Sequence, residues 1–150
     1  MRFPKFIELK KMVFQKIIQK VENNPKQLFL VDGFGALLSA FLLGFVLVRI
    51  KDDIGMPPAI LYVLAAIPIV FAIFDLYCYR KEHKRAGIFL KMIAILNIHY
   101  CIVSVGFAMY HKETLTSLGW IYIVVEVFII LLLSAIEFTV GKRLTEINND

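Results

Sequence analysis

The chain has 150 residues, 59% of them hydrophobic and 19% charged, with a formal net charge of +5 and a mean hydropathy of +0.74. Soluble domains are about 45–50% apolar; here the charges sit in blocks between long apolar runs, which excludes an ordinary soluble domain. The basic excess does not point to nucleic acid, because the lysines and arginines flank apolar segments, where anionic lipid head groups are the nearer partner.

The first element is predicted over residues 3–22, within a basic segment 1–26. Phe6, Leu9, Val13 and Ile17 recur at helical spacing, as do Phe14, Ile18 and Val21, with Lys5, Lys10, Lys11, Lys16 and Lys20 between them. Asn23-Asn24-Pro25 ends it. A basic amphipathic helix beside a membrane span is expected to lie in the interface, against the alternative of a frayed basic tail. A signal peptide is not expected, because this charged segment comes first and no small-residue cleavage site follows.

Residues 27–150 hold four apolar segments, each near the 20 or so residues a spanning helix needs. They are Leu28–Val48, Ala59–Tyr79, Ile88–Tyr110 and Gly119–Val140. The second is entered through Pro57-Pro58, since proline is tolerated in a first helical turn. The fourth is entered through Thr116 or Ser117 as N-cap. Short connections make consecutive helices antiparallel neighbours. The expected fold is therefore all-α: a four-helix transmembrane bundle with an N-terminal cytoplasmic amphipathic helix. Fourteen lysines and arginines fall on the side of the two termini and the 80–91 region. Three, Arg49, Lys51 and Lys112, fall on the other. Both termini are thus expected to be cytoplasmic, in a multi-pass protein of the cell (inner) membrane.

The polar groups inside the apolar runs are the candidate site. Asp32, Asp75, Lys91 and Glu137 each lie about one turn from the cytoplasmic end of their span, by the helical rise of roughly 1.5 Å per residue. They are expected to form one layer, an ion pair or hydrogen-bond network of Asp32 with Lys91, Asp75 and Arg80. That layer either locks helix register or serves as a proton or cation site or a catalytic carboxylate cluster. Three acids against one lysine cannot all stay ionised at close range. In the first span, Asp32, Ala36, Ala40 and Gly44 are four apart, with Gly33, Gly35 and Ser39 beside them. This is expected to be a packing face that turns Asp32 towards protein.

In the second span, Ala65, Pro68, Ala72 and Asp75 share a face, and Pro68 leaves a carbonyl without its helical donor. In the third, Asn97, Tyr100, Cys101 and Ser104 make a polar stripe. His99 projects about 200° from Asn97 at the helical angle per residue and cannot share its site. In the fourth, Glu126 and Glu137 are eleven apart and face the same way. Glu126 is expected deeper, within reach of the Asn97–Ser104 stripe, as a proton relay or as a hydrogen-bonded pin of the bundle. Tyr62, Tyr110, Trp120 and Tyr122 are expected to form an outer aromatic belt.

Cys78 and Cys101 form no CxxC, and His83 and His111 lie on opposite sides. No cofactor, metal site or catalytic residue is assigned. Asp52, Asp53, His111 and Glu113 in the outer loops read as solvated residues without metal-ligand spacing.

The segment LFLVDGFGALLSAFLLGFVLV, the GMPP turn and the later LNIHYC resemble small bacterial four-helix integral membrane proteins. The resemblance covers the spans, implies a stand-alone bundle and supplies no activity. Three functional classes follow from the residues. The first is a proton- or ion-coupled transport or translocation component using Glu126, Asp32 and Asp75; its pathway through four short spans calls for a homo-oligomer interface. The second is an accessory or assembly subunit that binds a membrane partner protein. The third is a membrane enzyme for a lipid or isoprenoid substrate, using Asp32, Asp75 and Glu137. A non-enzyme of the first kind is preferred.

Overall fold

In a computed structural model the described residues are 3–81 and 83–147, with side chains from Ile7 onward except that of His83. Arg2 and the side chains of Lys5, Phe6 and His83, used in the sequence reading, lie outside the described residues. The described residues are helical, without strands. They comprise α1 (Phe3–Glu22), α2 (Lys26–Phe41, continued by π turns over Leu42–Leu47), the short α3 (Lys51–Ile54), α4 (Pro58–Arg80), α5 (Ala86–Tyr110) and α6 (Ser117–Ile147). Four helices are long and apolar enough to cross a membrane: Lys26–Leu47, Pro58–Arg80, Ala86–Tyr110 and Ser117–Ile147. Large apolar side chains such as Phe34, Ile73, Ile102 and Phe128 stand on their outer surfaces. A chain in water would bury these, whereas a chain in hydrocarbon has no reason to.

Helix boundaries follow local chemistry. The backbone turns at Asn24, whose N–H bonds the Val21 carbonyl at 3.0 Å, and α2 starts after Pro25. Pro58 opens α4, where its missing N–H costs nothing. The Thr116 hydroxyl accepts the Gly119 N–H at 3.2 Å and caps α6. The fourth helix runs past Val140 to Ile147, because Lys142–Ile147 holds neither proline nor glycine and Lys142 pairs with Glu146 one turn on.

Packing is uneven. α2 with α4, and α5 with α6, form two close hairpins, while contacts between the hairpins are sparse. Gly33 and Gly44 let α2 approach α4: a β-carbon at Gly33 would lie 3.3 Å from Cβ of Asp75, and one at Gly44 3.2 Å from Cβ of Ala65. The connections beyond α2 and α5 clasp the hairpins together. Gly55 takes a left-handed φ of 76°, and the Thr116 N–H donates to the Ile54 carbonyl at 3.0 Å. The Thr116 hydroxyl donates to the carbonyls of Asp53 and Ile54.

The apolar core has two parts. One, around Leu43, Leu47, Leu61, Leu64 and Ile123, lies near this clasp. The other, around Ile18, Phe29, Cys78, Leu90 and Val140, lies near the end that carries α1. α1 enters this second core through Ile18, and Glu22 meets Arg143 at 3.5 Å. Ile7, Leu9, Met12 and Val13 of α1 stay exposed.

Candidate functional site

Between the two cores lies a polar layer. Each spanning helix adds one member, a turn away from its residue in the second core: Asp32 after Phe29, Asp75 before Cys78, Asn97 after Ile93, Glu137 before Val140. Asp75 and Glu137 are sealed, at 1% and 0% exposure. Asn97 Nδ2 donates to both oxygens of Asp32, at 3.0 and 3.2 Å, and lies 3.5 Å from Oε2 of Glu137. Asp75 and Glu137 both lie within electrostatic reach of Asp32. Both oxygens of Asp75 and Oε1 of Glu137 are buried with no hydrogen-bond donor.

The α5 member of this layer is Asn97, and the expected pair between Lys91 and Asp32 is not made. Lys91 is six residues before Asn97, so it projects about 120° away at the helical angle per residue. Its stem instead runs over α6, where a β-carbon on Gly141 would come within 3.0 Å of Lys91 Cγ. Arg80 is exposed. The ion pairs among the described residues are Lys112–Glu113, Lys142–Glu146 and Arg143–Glu22. All four intramembrane acids are left out of them.

The second polar group centres on Glu126. Its Oε1 accepts three hydroxyls: Ser39 from α2, Tyr100 from α5 at 3.2 Å and Tyr122 from α6 at 3.2 Å. Its Oε2 is buried and has no partner. Glu126 does meet the stripe on α5, through Tyr100. Cys101 and Ser104 of that stripe are buried, and the Ser104 hydroxyl has no partner. His99 is exposed and its Nδ1 sits 2.8 Å from the carbonyl of Ile95, outside both groups.

A cavity of about 470 Å³ joins the two groups. Asp32 and Asn97 line one end, and Ser39, Tyr100, Tyr122 and Glu126 the other. Ser39 is seven residues after Asp32, about 10 Å along α2. The walls between are apolar, including Pro68, Phe71 and Leu133. Lining residues Leu38, Ile121, Val125 and Ile129 are also exposed on the outer surface. The cavity therefore opens sideways between α2 and α6, where contacts between the two hairpins are sparse.

The small residues of α2 divide accordingly, which corrects the single packing face expected from the sequence. Gly33, Ala40 and Gly44 fall within about 20° of one direction; Gly33 and Gly44 meet α4 directly, and Ala40 is buried with them. Asp32, Gly35, Ala36 and Ser39 face the cavity. A β-carbon on Gly35 would meet nothing within 4 Å.

Ser39 and Tyr122 are functional candidates that the sequence reading placed elsewhere, as packing and belt residues. Each had a signal. Tyr122 is four residues before Glu126, hence on the same helix face, and Ser39 is two turns from Asp32. Among the described residues no three His, Cys, Asp or Glu side chains are grouped to hold a metal ion. No protein-family model, curated protein or solved structure matches the chain, so the reading of the site rests on its geometry.

Proposed function

We propose that the chain is a small multi-pass protein of the cell (inner) membrane that serves as a proton- or cation-coupled transport component, using its intramembrane carboxylates. The observation that carries this reading is the placement of four buried acids outside every ion pair among the described residues, with two of them at opposite ends of one laterally open cavity. An ionisable group in the membrane is costly and persists where it pairs or works. Asp32, Glu126 and Glu137 have hydroxyl and amide partners only, and Asp75 has no hydrogen-bond donor. Asp32 and Asp75, side by side, can share one proton or one cation; two ionised carboxylates cannot satisfy each other.

Both termini are placed on the cytoplasmic side by the strong lysine and arginine bias. α1 then lies along the cytoplasmic head groups, with its lysines towards anionic lipid and its uncovered apolar side chains towards the acyl chains. The enzyme reading is weaker, because only Asp32 of the three acids in the layer lines the cavity. Asp75 and Glu137 are closed off from any substrate there.

The test is proton flux into proteoliposomes carrying an entrapped pH dye, driven by a pH gradient, with empty vesicles as the baseline. Flux above baseline that Glu126→Gln and Asp32→Asn abolish supports the reading. Flux that survives both substitutions, or none with the natural sequence under any monovalent cation gradient, rejects it.

A further inference from the structure

We propose that the cavity between α2 and α6 is a binding site for a hydrophobic cation, a molecule with an apolar body and a single ammonium-type head, and that the carboxylate of Glu126 receives the head. The inference deepens the transport reading by naming a ligand class, and rests on it for the role of the cavity.

Glu126 is only 8% exposed and lines the cavity. Its Oε1 is saturated by three hydroxyls, while Oε2 has no donor. A buried carboxylate oxygen left without a donor is destabilising, and a ligand N–H that reaches it would relieve that cost. The lining holds a second acid, Asp32, and among the described residues contains no lysine, arginine or histidine. Phosphate and carboxylate heads are therefore repelled, and a positive head is attracted from either end.

The rings of Phe71, Tyr100 and Tyr122 also line the space. Aromatic faces attract cations, the more so when water is excluded. The remaining walls are apolar, and a volume of about 470 Å³ lies in the range of roughly 300–1,000 Å³ usual for small-molecule sites. Entry is from the side, so a molecule dissolved in the lipid reaches the site without crossing water.

The test uses three probes on one frame: 4-phenylbutylamine, 4-phenylbutanol and 4-phenylbutanoate. Binding to the full chain in nanodiscs is measured by calorimetry at equilibrium, with protein-free discs subtracted. The amine is expected to bind, the alcohol to bind at least about tenfold more weakly and the carboxylate not to bind, in keeping with the strength of hydrogen bonds to charged groups. Glu126→Gln, which keeps the acceptor for the three hydroxyls, is expected to lower amine affinity at least about tenfold. Gly35→Leu fills the cavity from a position where an added side chain starts in open space, and is expected to abolish binding with the fold intact.

Equal binding of amine and alcohol, or unchanged amine affinity in Glu126→Gln, overturns the proposal. So does amine binding that survives Gly35→Leu. Because no gradient is applied, amine binding without proton flux would leave the ligand class standing and reject transport. Proton flux without amine binding would do the reverse.

Discussion

Gly87 of α5 and Gly141 of α6 meet backbone to backbone: a β-carbon on Gly87 would lie 2.8 Å from the Gly141 carbonyl oxygen, and one on Gly141 would lie 2.7 Å from that of Gly87. Small residues give close helix approach its geometry in a membrane, where apolar burial supplies little net drive. The side chain of Lys91 and the backbone of Thr145 crowd the same crossing, so the space cannot be recovered by a rotamer change. Gly141→Ala is expected to lower stability by about 1–3 kcal/mol, the usual cost of overpacking. Gly35→Ala, which meets open space, is expected to raise it by up to about 1 kcal/mol through helix propensity. Unfolding in mixed micelles of increasing denaturing detergent reads both. Equal effects at the two positions would mean that α5 and α6 do not approach this closely.

Among the described residues, Asn97 is the only amide that donates to the acids in the polar layer. Asn97→Leu removes the donor to both Asp32 oxygens and to Glu137, leaving three buried acids with no amide. A stability loss of about 1–3 kcal/mol is expected. Asp32→Asn in the same background should restore part of it, because one of the stranded acids is then gone. The same detergent titration measures the cycle, and strictly additive effects would show that Asn97 and Asp32 are not coupled.

The four long helices were legible in the sequence because membrane spans announce themselves by length and apolarity alone. The termini of Leu28–Val48 and Ala59–Tyr79 differ from the observed helices by at most two residues; only the fourth helix runs well beyond its expected end. The site was legible in part. Depth along the chain correctly placed Asp32, Asp75 and Glu137 in one layer, since helical rise is uniform. Lys91 has the depth for that layer, but its direction around α5 takes it elsewhere; Asn97, deeper and correctly aimed, takes its place. The division of the α2 small residues was not legible. Whether Gly35 faces a helix or a cavity depends on how the two hairpins separate, and hydrophobic pattern carries no signal for that in an apolar solvent.

Lys91 provides a direct contrast between charge and geometry. Lys91→Met keeps the stem that runs over Gly141 and removes the ammonium. With no ion pair to lose, stability is expected to change by less than about 0.5 kcal/mol. Breaking a buried ion pair would cost roughly 3–5 kcal/mol. A loss of that size in the detergent titration would place the Lys91 ammonium among the acids after all.

Gly55 fixes the clasp between the hairpins. Its φ of 76° disfavours any side chain, and a β-carbon there would fall 1.9 Å from the Thr114 carbonyl oxygen. Left-handed backbone alone costs about 1–2 kcal/mol for a non-glycine residue. Gly55→Ala is therefore expected to open the clasp, lowering the unfolding midpoint and exposing the 111–116 connection to protease. An intact connection with unchanged cleavage would mean that Thr116 and Ile54 hold the loops without help from the turn.

Three hydroxyls on one oxygen of Glu126 predict a particular pattern of non-additivity. Ser39→Ala, Tyr100→Phe and Tyr122→Phe each remove one donor and leave two, so each is expected to cost less than about 1 kcal/mol, as side-chain hydrogen bonds in membrane helices do. The triple variant leaves the carboxyl group with no donor on either oxygen, and its cost is expected to exceed the sum of the three. Infrared spectra in lipid give a second readout at the carboxyl itself. The Glu126 band, assigned by its loss in Glu126→Gln, should move stepwise as each hydroxyl is removed. If Tyr122→Phe leaves the band unmoved, Tyr122 belongs to the outer aromatic surface, as its sequence position alone suggests. Glu126 would then be held by α2 and α5 only.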